Sequence, residues 1–285
     1  MPITKNNITV VIFSKDRPLQ LDLTLTSYEK NSIQRYDNEI VIYKTSSERF
    51  EKAYNQISKE HPNIRFLKET DFKLNLLDCL KNKRYVLFLV DDCIFTKKFS
   101  IKNICNFLDM CQGAIGFSLR LGENTTYCYS LSVDNGIPAM QPLGSNIYGF
   151  NWKEAGPGDF SYPLEVSSSV YRVEDIKGLL ENLPYNNPNS LEWLMSINVK
   201  FFNHLGFLLS FRKSVAFCDP INRVQTDNNN RAGVNPRYSI ENLLILYEAG
   251  YRIDHNLFDG FVSNACHQEV DIDFLEPNKG TYEYR

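Results

Sequence analysis

The 285-residue chain has seven cysteines but no CxxC pair among them, only two tryptophans and only four histidines. An odd, unpatterned set of thiols (positions 79, 93, 105, 111, 128, 218 and 266) excludes a disulfide framework or a structural zinc site. It fits reduced, mostly buried cysteines of a cytosolic protein. No polybasic run is present; the formal net charge is −3 and the pI about 5.9, which argues against nucleic acid as a partner. No stretch approaches the roughly 18 apolar residues of a membrane span. The opening MPITKNNITVVIF has only a short apolar segment, as expected of a strand and not of a secretory leader. The protein is thus expected to be soluble and cytoplasmic, with its substrate as the route to any association with the inner face of a membrane.

What is abundant is apolar residue (43%) and aromatic residue (13%), enough for a sizeable core. The first 120 residues alternate apolar runs with helical patterns. ITVVIF (8–13) is a near-continuous apolar run, as in a strand covered on both faces. Leucines and Tyr28 after Pro18 mix alternating and helical spacing, and between a proline and a polar loop they predict a helix. EIVIYKT (39–45), NIRFLKE (63–69), YVLFLV (85–90) and AIGFSL (114–119) are further predicted strands, with helices over 48–59, 72–82 and 100–111 between them. This alternation predicts an α/β fold with a mostly parallel central sheet flanked by helices, and ligands at the carboxyl ends of its strands. From 121 to 165 the pattern is irregular and rich in Gly, Asn, Pro and aromatics, as in a lid or binding loop. A strand over 165–172, helices near 174–182 and 190–200, a strand near 214–218 and a helix over 239–249 follow. The polar run INRVQTDNNNRAGVN (221–235) is expected to be mobile. No linker interrupts the chain, so one domain is expected, with a first half (1–120) and a more variable second half (121–285).

The strand YVLFLV ends in two adjacent acids, Asp91 and Asp92, before apolar residues resume. Ionised carboxylates are expensive to desolvate. Such a pair can bind a divalent cation through hard oxygens, do acid–base work, or cap the next element. Two features lie near it: SKDRP, which places Lys15, Asp16 and Arg17 at the end of the first strand, and His267 in NACHQE as a completing ligand. Cations of that kind attract a diphosphate, and an acid such as Asp16 accepts hydrogen bonds from a base or ribose.

VVIFSKDRPLQLDLTLTSY, YVLFLVDDCIF, FSLRLGEN, YPLEVSSSVYR, NPNSLE, INRVQ and ACHQE, in this order from Val10 to Phe274, resemble a group of bacterial glycosyltransferases with the GT-A (Rossmann-like) nucleotide-sugar fold, DxD-type and similar to glycosyltransferase family 2. The resemblance implies a metal-dependent transferase. It would move a sugar from a nucleotide-diphosphate donor, UDP-sugar by preference, to a hydroxyl of a glycan or glycolipid in surface polysaccharide biosynthesis. It implies Asp92 as direct ligand of Mn²⁺ or Mg²⁺, Asp91 at the ribose or a metal-bound water, and His267 completing the metal site. Ser14, Asp16 and Arg17 would form the nucleotide loop, Thr45 to Ser47 a weaker part of the same pocket. Arg120 and Asn124 would face the donor sugar or its phosphates. An inverting enzyme needs a base, for which Glu192 is preferred, with Ser190 capping its helix; the alternative is a first-turn glutamate serving the helix dipole. Asp159 and Glu165 are reserve candidates. Ser167–Ser168 stand where relatives carry Asp-Gly, which bears on substrate choice.

Trp152 and Trp193 could stack on a sugar or simply pack. His61, His204 and His255 lack ligand-like neighbours and read as surface or packing residues. Asn222, Arg223 and Gln225 are expected near the donor or on a lid, with a plain loop role as the alternative. Two further functions compete: a sugar-nucleotide nucleotidyltransferase, which would want a glycine-rich loop where SKDRPLQ has no glycine, and a catalytically silent nucleotide- or glycan-binding module.

Overall fold

The structure is a computed structural model and describes residues 3–225 and 231–277. The centre of the loop expected to be mobile lies outside the described residues. The alternation read from the sequence appears as β1 (Ile8–Lys15), α1 (Pro18–Asn31), β2 (Glu39–Lys44), α2 (Glu48–Glu60), β3 (Arg65–Lys68), α3 (Phe72–Cys79), β4 (Tyr85–Val90), β5 (Cys93–Phe95), α4 (Ile101–Met110) and β6 (Ala114–Ser118). The region expected to be irregular holds β7 (Tyr127–Cys128), β8 (Val133–Asp134), β9 (Gln141–Gly144) and β10 (Ile147–Asn151). Then come β11 (Ser169–Arg172), α5 (Val173–Asn182), α6 (Pro188–Ile197), β12 (Phe207–Phe211), β13 (Ala216–Cys218), α7 (Ile240–Glu248), β14 (Arg252–Ile253) and β15 (Phe274–Leu275).

Nine strands form one sheet in the order β3-β2-β1-β4-β11-β6-β12-β10-β9. Only β10 and β11 oppose the others, so seven of the nine share a direction. Inserting β11 antiparallel between β4 and β6 separates their ends by one strand and opens room above the sheet. Successive β1 side chains alternate between two cores. Ile8, Val10 and Ile12 pack with α1, α2, α4 and α7, while Val11 and Phe13 pack with α3, α5 and α6. Both faces are covered, which explains the continuous apolar runs in β1 and β4. Helix α1 is buried on nearly every side, including Gln20, Asp22 and Thr24. Its sequence therefore lacks the polar face that would make a helical period plain.

His61, which reads from sequence as a surface or packing residue, is buried in an ionic cluster. Its Nδ1 lies 2.9 Å from Glu29 and its Nε2 3.3 Å from Asp22, whose other oxygen is 3.6 Å from Arg252. Burial alone would lower the imidazole pKa, but the two carboxylates outweigh it and raise it to about 9. The pKa is raised, so this stabilisation is fully present below the ordinary histidine value of about 6.5 and fades as pH rises through about 9. His61→Gln is expected to lower stability by about 2 kcal/mol near pH 6. Urea unfolding at pH 6 and pH 9.5 should show that difference shrinking at the higher pH.

Candidate active site

A cavity of about 760 Å³ opens over the carboxyl ends of β1, β4 and β6. Asp91 organises one side of it. The carboxylate is 4% exposed; Oδ2 accepts from the Ser14 hydroxyl at 2.8 Å and the Lys15 backbone N–H at 3.1 Å, and Oδ1 accepts from Arg17 Nη1 at 3.0 Å. These bonds tie the end of β4 to the turn after β1. Burial, opposed by Arg17 and reinforced by Asp92, raises the Asp91 pKa. The same Arg17 Nη1 reaches Asp92 Oδ2 at 3.0 Å, while Nε donates to Asn222 Oδ1 at 3.0 Å and Nη2 to the Asn222 carbonyl. The INRVQ segment is thereby joined to the acidic pair, and Asn222, Arg223 and Gln225 line the cavity.

Arg120, just past β6, organises the other side. Nη2 donates to Glu165 Oε2 at 3.0 Å, and Nη1 lies 3.3 Å from Cys218 Sγ and 3.1 Å from His267 Nε2. Glu165 also accepts from the Ser167 and Ser168 backbone N–H groups and the Ser168 and Ser169 hydroxyls. A carboxylate so fully engaged is the anchor of the SSS turn, which removes Glu165 as a reserve base. Burial, helped by the Arg120 charge, lowers the His267 pKa to about 3, so its ring is neutral.

Glu192 lines the cavity from α6. The helix is capped by Asn187, whose Oδ1 accepts from the Ser190 N–H at 2.9 Å. Ser190 is therefore the third helical residue and not the cap, and Glu192 the fifth, beyond the first turn. The dipole role would stabilise the charged form; instead burial and the nearby Glu165 charge raise the Glu192 pKa to about 7. Its Oε2 accepts from the Val166 N–H at 2.8 Å. Asp159 also lines the cavity, with its pKa raised by burial and Oδ2 bonded to Asn135 Nδ2 at 2.9 Å. Gly158 makes this possible: at φ +136° a Cβ there would lie 2.0 Å from Asn135 Oδ1.

Three expected donor contacts do not face the cavity. Asp16, at φ +54°, is buried and its Oδ1 accepts from the Ser46 N–H at 2.8 Å, stapling two loops. Thr45 donates to Glu51 at 2.7 Å. Asn124 donates to Ser214 Oγ and the Ser263 carbonyl and accepts from the Ser214 N–H. Trp152 is an anchor, buried and donating to the Leu205 carbonyl at 2.7 Å, whereas Trp193 is 55% exposed. Sequence reasoning missed Tyr129, Tyr162, Lys44 and Arg231, which line the cavity. Arg231 lies 4.1 Å from the Tyr129 ring. Its only signal was a basic residue in a polar loop.

The divalent ion that the resemblance implies needs several hard ligands with free lone pairs. Both Asp91 oxygens are engaged, Asp92 offers one unengaged oxygen, and His267 Nε2 faces a guanidinium. Among the described residues no group of three or more His, Cys, Asp or Glu side chains is placed to hold a metal. The expected Asp91–Asp92–His267 metal site is thus not assembled, because Arg17 and Arg120 occupy its ligands. Asp91→Asn is expected to lower stability by about 2–4 kcal/mol, as a buried charge network is broken. Asp92→Asn, which loses one bond, should fall within about 1 kcal/mol. Chemical denaturation of both variants checks the ranking.

No protein-family model matches the sequence. Over 214 residues the chain is 29% identical to a bifunctional glycosyltransferase, pgtA, of Dictyostelium discoideum, covering 66% of this chain and 28% of that protein. Among solved structures it is similar to residues 1–349 of S. aureus TarS in complex with UDP-GlcNAc (12% identity, 77% of this chain and 60% of that one, TM-score 0.48). It is similar to the mannosyltransferase PcManGT of Pyrobaculum calidifontis in complex with GDP-Man and Mn²⁺ (11%, 72% and 56%, TM-score 0.42). It is also similar to a 4-diphosphocytidyl-2C-methyl-D-erythritol synthase of Anaerococcus prevotii (13%, 85% and 96%, TM-score 0.41). These scores are all below 0.5 and the likenesses select no reaction. In sequence, this chain is similar to part of a glycosyltransferase.

Proposed function

We propose that the chain is a glycosyltransferase. It would move a sugar from a nucleotide-diphosphate donor to a hydroxyl of a glycan or glycolipid acceptor, with inversion, in surface polysaccharide biosynthesis in the cytoplasm or at the inner membrane face. Among the described residues no helix is long and apolar enough to cross a membrane. One observation carries the reading: a single cavity holds Arg17 and the β1 turn on one side and Glu192, with a pKa of about 7, on another. Lys15, Lys44 and Arg231, which line the same cavity, suit an anionic diphosphate, and a carboxyl titrating near neutrality suits a general base. Tyr162, 37% exposed and in the cavity lining, is the aromatic side chain available to a sugar.

In this reading the acceptor oxygen attacks the anomeric carbon as Glu192 takes its proton. The bond from that carbon to the phosphate oxygen breaks, and its electron pair leaves with the nucleoside diphosphate. Asp91 acts by positioning Ser14, Lys15 and Arg17. Asp16 holds the Ser46 N–H and not a base or ribose; a UDP-sugar is the first donor to assay, beside GDP-sugars. The nucleotidyltransferase alternative still lacks its glycine loop. A silent binding module would not need a carboxyl held near pH 7.

Glu192→Gln is expected to lower kcat by about 10²- to 10⁴-fold while nucleotide affinity holds, measured by nucleoside-diphosphate release and by calorimetry. A base must be deprotonated to act, so kcat/KM of the wild type should rise with pH through about 7. Near-wild-type turnover of the variant removes Glu192 from the role. A donor screen that releases no nucleoside diphosphate removes the transferase reading.

A further inference from the structure

The contact between Arg120 and His267 decides which imidazole nitrogen carries the proton. A guanidinium only donates. With Arg120 Nη1 3.1 Å from His267 Nε2, Nε2 must accept, and the proton of the neutral ring sits on Nδ1. That Nδ1 is buried and has no hydrogen-bond partner, and the same holds for Arg120 Nε. Both residues line the cavity, and Arg120 is 4% exposed. The remaining Arg120 donors are directed at Glu165 and Cys218, so the side chain is fixed in place. Two N–H donors without acceptors, beside a cation, call for an anionic oxygen.

Metal ligation needs a lone pair on nitrogen. In this arrangement the Nε2 lone pair is spent on Arg120 and the Nδ1 position carries hydrogen. We propose that His267, held as the Nδ1–H tautomer by Arg120, donates a hydrogen bond to a phosphoryl oxygen of a diphosphate ligand and is not a metal ligand. The proposal rests on the nucleotide-diphosphate reading for the identity of that ligand. In the transfer step the departing phosphate oxygen keeps the electron pair of the broken bond. A preorganised N–H donor next to a guanidinium meets charge at that moment without reorganising.

Long-range ¹H–¹⁵N spectra of the full chain in EDTA, with His267 assigned through His267→Gln, test the tautomer and the ligand together. The expected result is an Nδ1–H ring whose resonance shifts on adding inorganic pyrophosphate and on adding UDP. Calorimetry in EDTA should show UDP binding to the wild type and about 10- to 100-fold weaker binding to His267→Ala. Part of that affinity should return in His267→Gln, which keeps a donor. An Nε2–H ring, a resonance that neither anion moves, or UDP binding that requires Mn²⁺ and His267 together overturns the proposal. If pyrophosphate moves the resonance but no nucleoside diphosphate binds, the anion site stands and the donor reading falls. Should the His267 variants fail to fold, His267 is assigned by elimination with variants of the other three histidines, His61, His204 and His255, and the wild-type spectra decide.

Discussion

A carboxylate at the end of a buried strand is a liability unless its charge is met. In this chain the way Asp91 is met sets the shape of the site. Its two oxygens take a hydroxyl, a backbone N–H and a guanidinium, all from the turn that follows β1. The parallel pairing of β1 with β4 brings that turn within reach. The turn itself depends on Asp16 in a left-handed conformation, stapled to the loop after β2. Three strand ends are thus locked together before any ligand arrives. Arg17 extends the lock to Asn222, about two hundred residues along the chain.

Arg120 does the equivalent for the opposite side. It is a buried cation shared between Glu165, Cys218 and His267, and each partner comes from a different segment. Glu165 in turn collects the three serines that open β11. Both charge clusters combine one guanidinium with carboxylates in a low-dielectric setting. There an uncompensated member would be strongly destabilising. The clusters tie the cavity walls together, and Glu192, whose protonation is poised near neutrality, lines the cavity between them. That poise comes first from burial and then from the nearby charge of Glu165, whose own cation, Arg120, opposes it only in part.

The departures from the sequence reading share one cause. Asp16, Thr45 and Asn124 are short polar side chains beside strand ends, which is also where ligand-binding groups occur. Whether such a side chain faces the ligand or bonds to a neighbouring loop depends on loops distant in sequence. Strands β9, β10 and β12 went unread for a related reason. β9 (QPLG) and β10 (IYGFN) are broken by proline or glycine and β12 (FLLSF) is a five-residue apolar run without alternation, and their place in the sheet comes from pairing with each other and with β6. Tyr129 and Arg231 reach the cavity through a contact spanning about a hundred residues, which local pattern cannot reveal.

What the sequence determined by itself was the α/β alternation, the strand end at Val90, and the acids that follow β4. Those features rest on local periodicity and on the price of burying charge, both readable from neighbours in the chain. Only the tertiary structure decided which acids are spoken for, because that depends on which cations fold against them. Arg17 lies next to the acidic pair in space and 74 positions away in sequence. Arg120 lies 147 positions from the histidine whose tautomer it sets. Composition could say that such charges are present; their pairing is a property of the folded chain.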